Sequence, residues 1–130
     1  MNETDLSKGI RQALRAKGCR VIRVQTGIIP ALYGATKRFI HCAENGTPDW
    51  LVIREPAVYT WLEVKIEGGR LTPAQQAWHE WAVSAGLRVA VVRSISEAIA
   101  AVFAPRIQHV PAPVASSLAR SVSARARHAR

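Results

Sequence analysis

Apolar residues recur along the chain with two periods, one helical and one alternating, and these divide it into elements. Leu6, Ile10, Ala13 and Leu14 form one stripe of a helix over residues 3 to 17, with Lys8, Arg11 and Arg15 opposite and Gly18 as its end. On the same wheel Glu3 falls with the apolar stripe and Asp5 with the polar face. Cys19 to Val24 and Lys37 to Cys42 read as short strands. The loop between them, through Thr26 to Thr36, is long for a hairpin. Its apolar run Ile28 to Tyr33 is expected either to pack on a neighbour or to form a flap at a substrate mouth.

Two further runs, Trp50 to Ile53 and Tyr59 to Lys65, flank the turn Glu55-Pro56-Ala57 and are predicted to pair antiparallel. Thr72-Pro73-Ala74-Gln75 then has the N-cap, first-turn proline and capping-box glutamine of a strong helix start. Ala74, Ala77, Trp78, Trp81, Ala82 and Ala85 repeat at helical spacing up to Gly86, and that stripe is predicted to be core. Leu87 to Val92 is almost wholly apolar, as in a strand covered on both faces, and the helix before it makes a crossover that sets it parallel to the Tyr59–Lys65 strand. Ser94 to Glu97 opens a last helix ending near Phe103. The pattern is that of an α/β domain over residues 1 to 104, a mixed sheet flanked by helices. Residues 105 to 130 form a Pro-, Ala-, Ser- and Arg-rich tail with no sustained apolar stripe, expected to be mostly disordered.

Pairing of the two central runs brings Asp49 beside Glu63 and Lys65, which share a strand face. Two carboxylates and an ammonium group suit a hard divalent cation, because magnesium and manganese prefer oxygen ligands and keep positions open for phosphate. The lysine would orient or deprotonate water, or neutralise charge on a phosphate. The same residues also fit a plain surface hairpin with a solvated Glu/Lys pair. Glu3 is open to two readings, an acid aimed into the site or one that complements the helix N-terminus.

Charge adds a partner to this picture. Lys and Arg number 18 against 9 Asp and Glu, a formal +9, which points to a polyanion. Five of those charges, Arg106, Arg120, Arg125, Arg127 and Arg130, follow the last acid, Glu97, and leave +4 for the folded part. Lys8, Arg11, Arg15, Arg120, Arg125 and Arg127 are the candidate phosphate contacts, with a solvated helix face and a solubilising tail as the alternatives. No apolar run is long enough for a membrane span, and the polar start lacks a signal peptide's apolar segment, so a cytoplasmic protein is expected. Cys19 and Cys42 fit no metal-ligand spacing and are expected as small core or strand residues, with pairing across a hairpin as the alternative. His41 is expected to be structural.

Gly46-Thr47-Pro48-Asp49, then Trp61-Leu62-Glu63-Val64-Lys65, then Gly68-Gly69-Arg70-Leu71-Thr72-Pro73-Ala74-Gln75-Gln76 resemble the VRR-NUC family, a branch of the PD-(D/E)xK nucleases, over roughly residues 3 to 103. The resemblance implies an αβββαβ-type, restriction-endonuclease-like core and a Mg2+- or Mn2+-dependent endonuclease that hydrolyses DNA phosphodiesters. Carried over residue by residue, it makes Asp49, Glu63 and the Val64 carbonyl metal ligands, Lys65 the catalytic lysine, Gln75 a supporting residue and Glu3 a further ligand. Relatives include stand-alone phage and bacterial domains similar to junction-resolving enzymes, so branched or Holliday-junction DNA and a homodimer are further expectations. Neither follows from the residues themselves. A non-catalytic DNA-binding module with the same fold is the alternative function, and a protein-interaction adaptor is a third that leaves the acid cluster unexplained.

Overall fold

In the computed structural model, residues 1–105 are described. The expected tail, with Arg120, Arg125 and Arg127, lies outside the described residues. Nine elements follow in order: α1 (Glu3–Ala16), β1 (Arg20–Arg23), β2 (Ile28–Tyr33), β3 (Thr36–His41), β4 (Trp50–Arg54), β5 (Val58–Val64), α2 (Pro73–Ser84), β6 (Arg88–Val92) and α3 (Ile95–Phe103). The main sheet has the order β1-β4-β5-β6. Its first three strands are antiparallel and β6 joins β5 in parallel, as the crossover through α2 requires. With β2 and β3 set aside, the order is αβββαβ followed by α3, a mixed sheet flanked by helices as expected.

The core lies between one sheet face and the pair α1 and α3. Leu6, Ile10 and Leu14 supply the α1 stripe, and Val52, Leu62, Val64, Val92, Ala98 and Val102 close it. α2 covers the opposite sheet face, where Trp61 meets Trp78 edge to face at 5.3 Å. Arg54 and Arg88 donate to carbonyls at the C-terminus of α3 and hold that end against the sheet.

Three expectations need correction. Ile28–Tyr33 is a strand rather than a loop, paired with Thr36–His41 in a separate two-stranded hairpin. Pro30 obscured it, yet in a ribbon both strands are edges and tolerate a missing N–H. An isolated bridge between Thr26 and Ala43, on either side of it, closes the base of the β2–β3 hairpin, whose Ile28, Leu32 and Phe39 are exposed. The Ala/Trp stripe of α2 is only partly core: Ala82 is buried, but Ala77 and Ala85 are exposed and Trp81 is 56% exposed. The packed face is instead that of Gln75, Trp78, His79 and Ala82, because the bonds of Gln75 described below set the helix rotation. β6 is the edge strand of the sheet and is packed by α3 on one face and α2 on the other, as expected, with most of its residues half-buried. Glu3, in the first turn of α1, is exposed rather than buried with the stripe. Cys19 joins the core, and both cysteines are free thiols.

Candidate active site

Alternation along β5 sends Thr60, Leu62 and Val64 into the core and Trp61 and Glu63 to the α2 side. Glu63 is nevertheless only 1% exposed, because the first turn of α2 and the chain entering β4 close over it. That chain is the turn Glu44–Pro48, tied by the Thr47 hydroxyl donating to the Glu44 carbonyl at 2.6 Å. Gly46 sits there at φ +96, and a Cβ on it would stand 2.6 Å from the Ala74 carbonyl carbon and collide with its oxygen. Only glycine allows this turn to lie flush against α2.

Asp49 leaves the turn clamped on two sides. Its carbonyl accepts from the Val24 N–H at 2.8 Å, and its carboxylate Oδ2 accepts from the Val64 N–H at 3.0 Å. Glu63 Oε1 accepts from Gln75 Nε2 at 2.9 Å and lies 3.5 Å from Lys65 Nζ. Gln75 uses its other atom elsewhere: its Oε1 accepts from the Thr72 N–H at 2.9 Å, while Thr72 Oγ1 accepts from the Gln75 N–H at 3.2 Å. The two explanations open for Gln75 are therefore both met by one amide. Capping fixes which end faces Thr72, and so which end reaches Glu63.

The remaining oxygen, Glu63 Oε2, is buried with no hydrogen-bond partner. Burial foremost, and then the nearby Asp49 charge, push the Glu63 carboxyl up to about 7, against the pull of Lys65 and with a small further push from Glu3. A buried carboxylate that is half protonated near neutral pH, with one oxygen unsatisfied, is poised for a positive charge that the fold itself does not fully supply.

A family model for the VRR-NUC domain matches residues 7–96, which take in Asp49, Glu63, Lys65 and Gln75. The chain belongs to the VRR-NUC domain family. A solved structure described as a VRR_NUC domain is similar over 75% of this chain and 89% of its own, at 26% sequence identity and a TM-score of 0.54. No curated protein matches. The family is nuclease-related, and the matched span contains the whole buried acid–amide–lysine cluster.

Around this VRR-NUC cluster the other expected residues divide. Glu3, Lys8 and Arg11 line a cleft of about 260 Å³ that also contains Asp49 and Trp50, whereas Arg15 is exposed and outside it. Arg23, at the end of β1, lines the same cleft and was not anticipated. No sequence signal marks it, because its pairing with Trp50 arises only when β1 and β4 come together. His79 was also missed. It is 9% exposed, its Nε2 has no partner, and burial holds its imidazole below the usual range. Its place one helical turn after Gln75 on α2 puts it on the packed face. His41 is exposed on the hairpin.

The donor set fits a hard cation. Glu63 offers the unpartnered Oε2, Asp49 has one oxygen committed to Val64 and a second with no partner among the described residues, and all donors are oxygens. No group of three or more His, Cys, Asp or Glu side chains among the described residues converges on one point. Such a sparse set matches magnesium better than calcium, since magnesium is commonly held by one or two carboxylates with water and substrate phosphate completing the shell.

Proposed function

We propose that this VRR-NUC domain is a Mg2+- or Mn2+-dependent endodeoxyribonuclease of the PD-(D/E)xK type that hydrolyses phosphodiester bonds. The observation that carries the reading is the buried Glu63 carboxylate with its bare Oε2, set between Asp49, Lys65 and Gln75. Asp49 and Glu63 would hold the ion, with the Val64 carbonyl and Glu3 as further ligands. Bound there, it would supply Lewis acidity at the phosphate and lower the pKa of a coordinated water.

The chain's own residues account for the rest. Gln75 holds Glu63 in one rotamer by bonding Oε1, which leaves Oε2 for ligation. Lys65, 13% exposed at the side chain, keeps its ammonium next to the site while still reaching solvent, and so can orient the attacking water or bond a phosphate oxygen as charge develops. Its charge also limits repulsion between Asp49 and Glu63. Branched DNA and a two-copy assembly belong to the same proposal, and Trp81 with the exposed Ala77 and Ala85 one turn to either side gives α2 an apolar face for a second copy.

The test is incubation of the protein with linear, flap and four-way-junction DNA, with Mn2+, with Mg2+ and with chelator. Metal-dependent cleavage by the wild type, abolished in Asp49→Ala and Lys65→Ala while binding survives, is the expected result. Full cleavage in chelator or by Asp49→Ala would refute the assigned site, and binding without cleavage under any metal would support a non-catalytic DNA-binding module instead.

A further inference from the structure

We propose that the cleft between α1 and the ends of β1 and β4 is a phosphate-binding site for the nucleic-acid backbone, formed by Lys8, Arg11 and Arg23, which holds the strand next to the bond that is cut. The proposal rests on the nuclease reading for its ligand but on separate residues for its evidence.

Three cations from two elements line one cavity of about 260 Å³ with Asp49. None of Lys8, Arg11 and Arg23 forms an ion pair among the described residues. Their charges are thus held by no direct carboxylate contact on a wall that also carries Asp49. Arg23 is held in place: its guanidinium lies over the ring of the largely buried Trp50 at 5.9 Å. Stacking of this kind restricts the side chain while leaving its N–H donors free for a planar or tetrahedral anion. Arg23 is the register partner of Trp50 across the antiparallel β1–β4 pair, and Trp50 directly follows Asp49, so the arginine and the candidate ligand sit on adjacent paired strands.

Thr4 and Ser7, from the first turns of α1, add hydroxyl donors to the same wall. The cleft thus has an acidic end, Glu3 and Asp49, and a basic end. A phosphodiester backbone satisfies both, with one phosphate near the cation site and a neighbouring phosphate among Lys8, Arg11 and Arg23. A free carboxylate or a nucleobase would match only one end.

The experiment measures binding of a short fluorescein-labelled DNA duplex by anisotropy across a salt series, in chelator so that no cleavage occurs. Each of Lys8→Ala, Arg11→Ala and Arg23→Gln should weaken binding and reduce the slope of log affinity against log salt by about 0.9, the value of one phosphate contact. Arg20→Gln serves as control, since Arg20 has the same charge on the same strand but sits at its far end, paired with Ile53. Its slope should match the wild type. Equal loss in the Arg20 variant would show a diffuse field rather than a built site, and unchanged slopes in all three cleft variants would overturn the proposal outright. Thermal melting of each variant identifies any that misfolds, and because Lys8 and Arg11 lie on the α1 surface they keep the test open if Arg23→Gln does not fold. Slope losses confined to the cleft in a protein that never cuts DNA would uphold this site and sink the nuclease reading. Cleavage by a protein whose cleft variants bind normally would do the reverse.

Discussion

Replacing Glu63 with glutamine should make the metal-free protein more stable at pH 8 and not at pH 4. Glu63 titrates at about 7 in the folded chain against an ordinary 4.5. Between those values the folded state retains a proton that the unfolded chain has released, so the stability associated with Glu63 is fully present below the unfolded value and is lost as pH rises through the folded one. At about 1.4 kcal/mol per pH unit the gap corresponds to roughly 3 to 4 kcal/mol. Glutamine keeps the acceptor for Gln75 and removes the charge, so it does not incur this loss. His79 acts in the opposite sense: burial lowers its pKa, so it costs stability as pH falls below its unfolded value. A wild-type profile alone mixes the two.

The difference between variant and wild type isolates Glu63, since His79 is common to both. Urea denaturation at several pH values from 4 to 8, in chelator, should show that difference climbing by about 3 kcal/mol toward Glu63→Gln. A flat difference would refute the reasoning, because it would mean that Glu63 ionises freely and is not buried against Asp49. Magnesium or manganese should then stabilise the wild type and do so more at pH 8 than at pH 6, since ligation needs the deprotonated acid. The glutamine variant should lose most of that response.

Gln75→Glu separates the two roles of this residue: glutamate can still complete the capping box but cannot donate to Glu63 and adds a like charge beside it. Cleavage should fall about 10- to 100-fold, the usual effect of losing a ligand's supporting bond, while far-UV circular dichroism shows α2 intact. Undiminished cleavage would limit Gln75 to capping. Gly46→Ala should destabilise by about 2 to 4 kcal/mol, from the left-handed backbone together with the collision against Ala74, as read by urea denaturation. A neutral result would mean that the turn does not lie flush on α2.

The parts of this domain legible in the sequence are those set by local chemistry. α1 follows from a stripe, α2 and α3 from their caps, and β4 and β5 from two apolar runs about a proline turn, so the sequence alone brings Asp49, Glu63 and Lys65 together. The parts that were not legible depend on contacts between distant segments. Pro30 and the flanking glycines mask β2, whose partner β3 is identified only once the hairpin closes. The rotation of α2 was misjudged because alanine and tryptophan at helical spacing outweigh a glutamine and a histidine on any apolar count. Arg23 was passed over because a basic residue at a strand end has no pattern of its own and gains meaning only when Trp50 stacks beneath it.

The misjudged rotation of α2 and the assembly of the site have one physical cause. A helix whose apolar residues alone set its orientation would turn Trp81 and Ala77 to the sheet. Here the amide of Gln75 is fixed at one end by the Thr72 N–H and at the other by Glu63, so rotating α2 toward its apolar stripe would break a bond to a buried carboxylate. Leaving such a group unpaired costs on the order of 1 to 3 kcal/mol or more for a charged acceptor, enough to offset the exposure of part of an indole. Trp78 still reaches Trp61, so the exposed ring of Trp81 is the residue of that competition. The cap that starts the helix thus also determines which face of it meets the sheet, and through Gln75 it determines which oxygen of Glu63 is left for chemistry.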